Sequence, residues 1–268
     1  LDMHPRESKY KHAAMFPIVQ GVLGGPRPVA ALVCNFPRPT NDDPALLEHD
    51  DVVTFFHELG HLLHHVFGQE VEWEELSGTG TEWDFVEVPS QLFEEWAWDA
   101  EVLGGFARHH ETGAPIPGEL VERLREGREL GRGLAVRTQM FYAALSLKCH
   151  LEEPARLALD DLQRELQNRY SRFRWVEGTH FHTSFGHLDG YSALYYTYMW
   201  SLVIEKDVFS SFREAGLMDV DTARRYREAI LAVGGSKPAE DLVRDFLGRQ
   251  YGFDAFEVWL GSGEAKAG

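Results

Sequence analysis

Thr54-Phe55-Phe56-His57-Glu58-Leu59-Gly60-His61-Leu62-Leu63-His64-His65 contains an H-E-x-x-H motif at His57 to His61. The surrounding run from Leu46 to Phe67 holds no proline and spaces its apolar residues helically, which predicts a helix through the motif. On a helix, positions i and i+4 share one face, so the imidazoles of His57 and His61 can converge on a single ion. Glu58, next to the first of them, can then take a proton from a water at that ion without binding the ion itself. With 13 histidines in the chain, the motif alone does not exclude a plain charged helix face carrying four of them.

A third ligand decides between these readings. The extended form of the motif, with a further histidine after a glycine, fails because His64 and Phe67 occupy those positions. A carboxylate from a second helix is the other common solution, leaving one position open for water. The candidate is Glu87 in Asp84-Phe85-Val86-Glu87-Val88-Pro89-Ser90-Gln91, an acid among Phe85, Val86, Val88, Leu92 and Phe93. Acids are rarely placed among core residues unless paired or metal-bound.

The chain has 268 residues and a net charge of −17, which argues against a nucleic-acid or anionic-membrane partner. Its 7 Trp, 9 Tyr and 17 Phe favour a globular body with ample core. Cys34 and Cys149 form no C-x-x-C pair and suggest a reducing, cytoplasmic setting rather than a disulfide framework. No apolar run approaches the roughly eighteen residues of a membrane span. The chain begins at Leu1 without a leader pattern, as if cut from a longer protein.

Two β-favouring runs, 15–22 and 28–36, joined at Gly24-Gly25-Pro26, predict a small hairpin. An edge strand near the metal would let an extended peptide pair its backbone there; packing against the motif helix alone is the alternative. Asn35 to Pro44 reads as a loop leading to the motif helix. The stretch Ser77-Gly78-Thr79-Gly80-Thr81 is either a linker or a loop that closes over substrate backbone. A second helix is expected over 82–103, with Glu87 in its first turns and Pro89 near its start. Further helices are expected over 118–131, 133–150, 155–171, 190–215, 219–233 and 238–248. Arg123, Arg125, Arg128, Arg132 and Arg137 read as a solvated helix face, and Gly-Glu-Ala-Lys-Ala-Gly at the end as a frayed terminus.

A second site-like stretch runs from Thr179-His180-Phe181-His182 through Phe185-Gly186-His187 to Tyr191, Tyr195 and Tyr198. On one continuous helix these tyrosines would share a face at i, i+4 and i+7, with His187 a turn before them. Phenol and imidazole donors there suit an oxyanion formed as water attacks a peptide carbonyl, although a tyrosine stripe is by default core. His180 and His182 read as ordinary loop histidines.

Together these residues resemble the thimet oligopeptidase family of zinc metallopeptidases. The resemblance rests on Pro5-Arg6-Glu7, Lys9, His12-Ala13-Ala14, Phe55 to His61, Ser77-Gly78-Thr79, Asp84 to Gln91, and Phe185-Gly186-His187 with Tyr191, Tyr195, Tyr196 and Tyr198. It implies a mainly α, helical zincin-like fold with a small sheet near the metal, one Zn2+ per chain, and His57, His61 and Glu87 as ligands. It further implies Glu58 as general base, His187 and Tyr195 in catalysis, and Tyr191, Tyr198 and Gly78 in substrate binding. Only Gly190 precedes Tyr191 where the family often has two glycines, and Gly80 stands where some relatives carry histidine.

The expected whole is a C-terminal zinc-bearing catalytic domain over 1–268, with strands and zinc-site helices in 1–110 and the His/Tyr loop in 111–268. Its expected partners are short peptide substrates and a preceding N-terminal lobe. The expected activity is metallopeptidase hydrolysis of short peptides; the rival is a catalytically silent metal- or peptide-binding domain. A non-peptidase metallohydrolase is disfavoured, because nothing else suggests a phosphate or sugar site.

Overall fold

The early β-favouring runs pair into a two-stranded antiparallel sheet, β1 (Ala14–Val19) and β2 (Val29–Val33), with Ala14 opposite Val33 and Met15 opposite Leu32. Asp2 bridges Val33 on the far side of β2, so the outer edge of β1 is left open. Lys9 locks this arrangement from a side chain only 3% exposed. Its Nζ donates to the Asp2 carboxylate and to the carbonyls of Asp2, His4 and Cys34. The computed structural model describes residues 1–151 and 153–261; the expected frayed ending lies outside the described residues.

The motif helix, α1 (His49–Phe67), begins after Glu48, whose N–H donates to the Asp51 carboxylate at 3.1 Å. Its start is later than Leu46 because Glu48 is extended, at φ −70° and ψ 156°, and caps the helix from outside. His65, fully buried, faces the carbonyls of Val19 and Val29 at 3.0 and 3.2 Å. Carbonyls only accept, so Nε2 carries the proton and clamps both strands onto α1.

The single helix expected over 82–103 is three pieces: α2 (Val88–Glu94), a 3-10 turn (Glu95–Trp98) and α3 (Ala100–Phe106). Pro89 lacks an N–H and is tolerated only in a first turn, which fixes where α2 starts. Asp99 is extended and caps α3 through the amides of Glu101 and Val102, which ends the turn before it. Then follow α4 (Gly118–Glu129), α5 (Arg132–Cys149), α6 (Leu159–Tyr170), the single turn α7 (His187–Gly190) and α8 (Thr197–Ala215). The continuous helix expected from 190 does not form, because Ser192 sits at φ 51°. The C-terminal part is α9 (Val220–Tyr226) with a π turn (Arg227–Leu231), α10 (Ala239–Leu247) and α11 (Asp254–Gly261), the last not anticipated. The architecture is mainly α, as expected, and no described helix is long and apolar enough to cross a membrane.

Two apolar clusters hold these elements. The larger packs Phe85, Val88 and Leu92 against Ile204, Val208 and Phe212 of α8 and against Ile230, Leu242 and Phe246. The smaller joins Phe141 and Leu145 of α5, Leu166 of α6, Phe185 and Tyr195. Truncating any of the fully buried leucines to alanine costs about 2–5 kcal/mol. The arginine run is not simply a solvated face. Arg128 makes a paired bond to Glu95 at 2.8 and 3.2 Å, and Arg125 reaches the Trp98 carbonyl. Glu95 also takes Lys206 at 2.7 Å, so α4 is tied to α8 through a carboxylate that a helical wheel of α4 does not contain.

Candidate active site

Gly60 decides how α1 meets α2. A Cβ there would lie 2.6 Å from the Pro89 carbonyl oxygen and from the Ser90 Cα, closer than real contacts allow. Bare glycine lets the two backbones touch, and that contact delivers Glu87, one residue before α2, to the histidine face of α1. Glu87 Oε2 lies 3.3 Å from His57 Nε2 and 3.1 Å from His61 Nε2. Ligand bonds of about 2.0–2.1 Å in a tetrahedron give ligand–ligand edges of about 3.3 Å, so both Glu87–imidazole edges already stand at metal-binding separation, and all three donor atoms lie within 4.8 Å of one another.

Glu87 is 1% exposed and is oriented at both oxygens: Tyr191 donates to Oε1 at 2.7 Å, Ser90 Oγ to Oε2 at 3.0 Å. Burial would push its carboxyl up, but hydrogen bonds from His57 and His61 outweigh that and hold it well below the usual range. Burial would likewise lower the His57 imidazolium, but the Glu87 and Glu94 carboxylates outweigh it and hold it well above its ordinary value. His57 Nδ1 lies 2.7 Å from Glu94 Oε1, so Nδ1 donates and Nε2 is the nitrogen turned toward Glu87. This carboxylate–histidine pairing is what fixes a metal-ligating imidazole. Two imidazoles and one buried carboxylate, with no lysine or arginine bonded to Glu87, fit a borderline divalent metal.

Glu58 faces the same cleft, of about 670 Å³, and its Oε2 accepts from the Met15 N–H on the open edge of β1 at 2.8 Å. The cleft is also lined by Tyr10, His12, His187, Tyr191 and Tyr198. Tyr191 and Tyr198 stack at 5.3 Å, and the Tyr198 hydroxyl lies 3.3 Å from His187 Nε2. Burial and the Glu87 charge push both phenols up, and burial pushes His187 down, so all three stay neutral near pH 7.

Two expected residues lie elsewhere. Tyr195 is 7% exposed in the smaller cluster, and its hydroxyl donates to Gln139 Oε1 at 3.1 Å. Its ring packs behind the cleft on His187 and Tyr198, at 5.0 and 4.9 Å. Gly78 does not line the cleft; it is buried at φ 54°, where a Cβ would meet the His65 backbone at 2.6 Å. It lets the 77–80 loop press onto α1, whereas Gly80, in the same loop, is crowded by the Glu75 carbonyl.

Sequence reasoning missed Glu94, the orienting role of Ser90, and Gln91, whose Nε2 donates to the Tyr198 carbonyl at 2.9 Å. Their spacing from Glu87, at i+3, i+4 and i+7, was the available signal for one shared helix face.

A His2Glu donor set with a buried carboxylate, a second carboxylate on the motif helix and an open strand edge define a candidate metal centre in a helical protein. The chain matches the model of Peptidase family M3 over residues 1–261, and it belongs to that family. It is 38% identical to a thimet-like oligopeptidase of Dictyostelium discoideum, over 97% of this chain and 40% of that protein. To saccharolysin of Saccharomyces cerevisiae the identity is 36%, over 97% of this chain and 38% of the relative. Oligopeptidase A of Escherichia coli is also 36% identical, over 95% of this chain and 39% of the relative. The chain thus spans about two fifths of the length of these relatives. Among solved structures, PZ peptidase A with an inhibitor superposes with a TM-score of 0.70 at 15% identity, over 99% of this chain and 43% of that one, a likeness of fold.

Proposed function

We propose that this chain is the zinc-bearing catalytic part of an oligopeptidase that hydrolyses peptide bonds in short peptides, with His57, His61 and Glu87 holding one Zn2+. The observation that carries the reading is the approach of Glu87 to His57 and His61 at 3.3 and 3.1 Å, beside Glu58 and the edge of β1. When bound, zinc supplies Lewis acidity, making a water acidic enough to lose its proton near neutral pH. Glu58 takes that proton on its carboxylate and later returns it to the leaving amine. Tyr198 and His187 donate toward the developing oxyanion, a role that passes to Tyr198 because Tyr195 is committed to Gln139. Tyr191 holds the Glu87 carboxylate and closes one wall of the cleft.

The open edge of β1 offers backbone groups to an extended peptide, whose amides pair there irrespective of side chain. In a longer protein, a preceding lobe would supply the opposite wall. Glu58→Gln is expected to abolish cleavage while its zinc content by elemental analysis stays that of the unaltered chain. Glu87→Gln is expected to lose the one zinc held with His57 and His61. Near-normal turnover in Glu58→Gln would remove Glu58 as the base, and full zinc in Glu87→Gln would remove Glu87 as a ligand. A peptide that binds but is never cut, with or without chelator, would instead support a silent binding domain.

A further inference from the structure

His180 and His182, which read as ordinary loop residues in the sequence, are brought together by the packing of the residue between them. Phe181 turns inward against Tyr142 and Phe185, at ring distances of 5.2 and 5.0 Å. The 3-10 turn at Phe181–Thr183 then carries the two flanking imidazoles to Asp160, in the first turn of α6. His180 Nδ1 lies 2.7 Å from Asp160 Oδ1, and His182 Nδ1 lies 3.8 Å from the same oxygen. All three candidate donor atoms fall within 4.8 Å of one another. Gln163, one turn further along α6 and 1% exposed, places Oε1 3.1 Å from His182 Nδ1. Arg164, the neighbouring cation, is engaged with Asp161 at 2.9 Å and Glu177 at 3.7 Å instead of Asp160.

We propose that Asp160, His180 and His182, with the Gln163 carbonyl oxygen as fourth donor, form a second divalent-metal site. It is distinct from the His57–His61–Glu87 set and pins the start of the segment leading to His187 onto α6. Two imidazoles with a carboxylate and an amide oxygen select a borderline transition metal such as Zn2+, Co2+ or Ni2+ over Mg2+ or Ca2+, which take oxygen ligands. The 2.7 and 3.8 Å separations bracket the edge of about 3.3 Å that tetrahedral ligation requires. Closing the set therefore asks for rotation of exposed side chains rather than movement of backbone. The proposal stands apart from the peptidase reading, since it uses none of the same residues.

The test is Co2+ titration of the untagged, metal-stripped chain, followed by visible absorption and calorimetry. Two equivalents are expected in the unaltered chain and one in His180→Ala/His182→Ala, the second site weakening by more than about 100-fold. Asp160→Asn should weaken the same equivalent, with circular dichroism confirming the fold. In His61→Gln, the remaining equivalent should slow amide exchange over 177–186, an effect lost when His180 and His182 are also replaced. A single equivalent in the unaltered chain, or a second one that survives His180→Ala/His182→Ala, would overturn the proposal.

Discussion

Tyr195 and Tyr198 are three positions apart, yet one hydroxyl is spent on Gln139 and the other faces His187 in the cleft. That difference separates their substitutions. Tyr198→Phe removes a donor aimed where charge develops, and kcat for a short peptide is expected to fall on the order of 100-fold. Tyr195→Phe removes one half-buried hydrogen bond, costs about 1 kcal/mol of stability and leaves kcat near its starting value. Equal losses of kcat in both would mean that Tyr195 reaches the substrate after all. At this scale the sequence carried the donors whose spacing is local, because His57, Glu58 and His61 sit on one regular helix. It did not announce that the Tyr195 hydroxyl is taken by Gln139, a partner 56 positions away that helical spacing does not record.

Within α1, the imidazoles divide by partner. His64 is fully buried with neither ring nitrogen hydrogen-bonded, and burial pushes its pKa down to about 3. The folded protein therefore keeps His64 neutral, while the unfolded chain protonates it below its ordinary value of 6.5. Stability from this group is full above pH 6.5 and declines as pH falls toward 3, by about 1.4 kcal/mol per pH unit. His64→Leu should remove that share of the slope, measured by urea unfolding at pH 4.5 and 7; an unchanged difference between the two pH values would refute it. Where α1 crosses α2, Gly60→Ala must push the Pro89–Ser90 backbone away, at about 1–3 kcal/mol of stability. The same shift withdraws Glu87, so zinc affinity should drop at least 10-fold in a competition with a chromophoric chelator. Periodicity located α1 well, but it merged α2, the 3-10 turn and α3, because capping by Asp99 is a local choice that hydrophobic spacing does not record.

Across the whole molecule, the candidate metal site adjoins the larger apolar cluster, whose members Phe85 and Val88 lie two and one positions from Glu87. A ligand that binds only the folded form adds stability that grows with the logarithm of its free concentration relative to Kd. Stripping zinc is therefore expected to lower the melting temperature by roughly 5–10 °C, reversed by adding zinc back and smaller in Glu87→Gln. A melting point indifferent to chelator would detach the site from the fold. The helical class and the order of most elements were legible from spacing and breakers. The pairing of Arg128 with Glu95 and Lys206 was not, since it joins positions far apart along the chain. The backbone contact at Gly60 has a mechanical meaning too. Side chains yield by changing rotamer, whereas two main chains pressed together have no such freedom and act as a stiff stop. The stop holds the Glu87 end of the site against α1, so any widening of the cleft falls to the aromatic segment, tethered to that carboxylate by the Tyr191 hydroxyl.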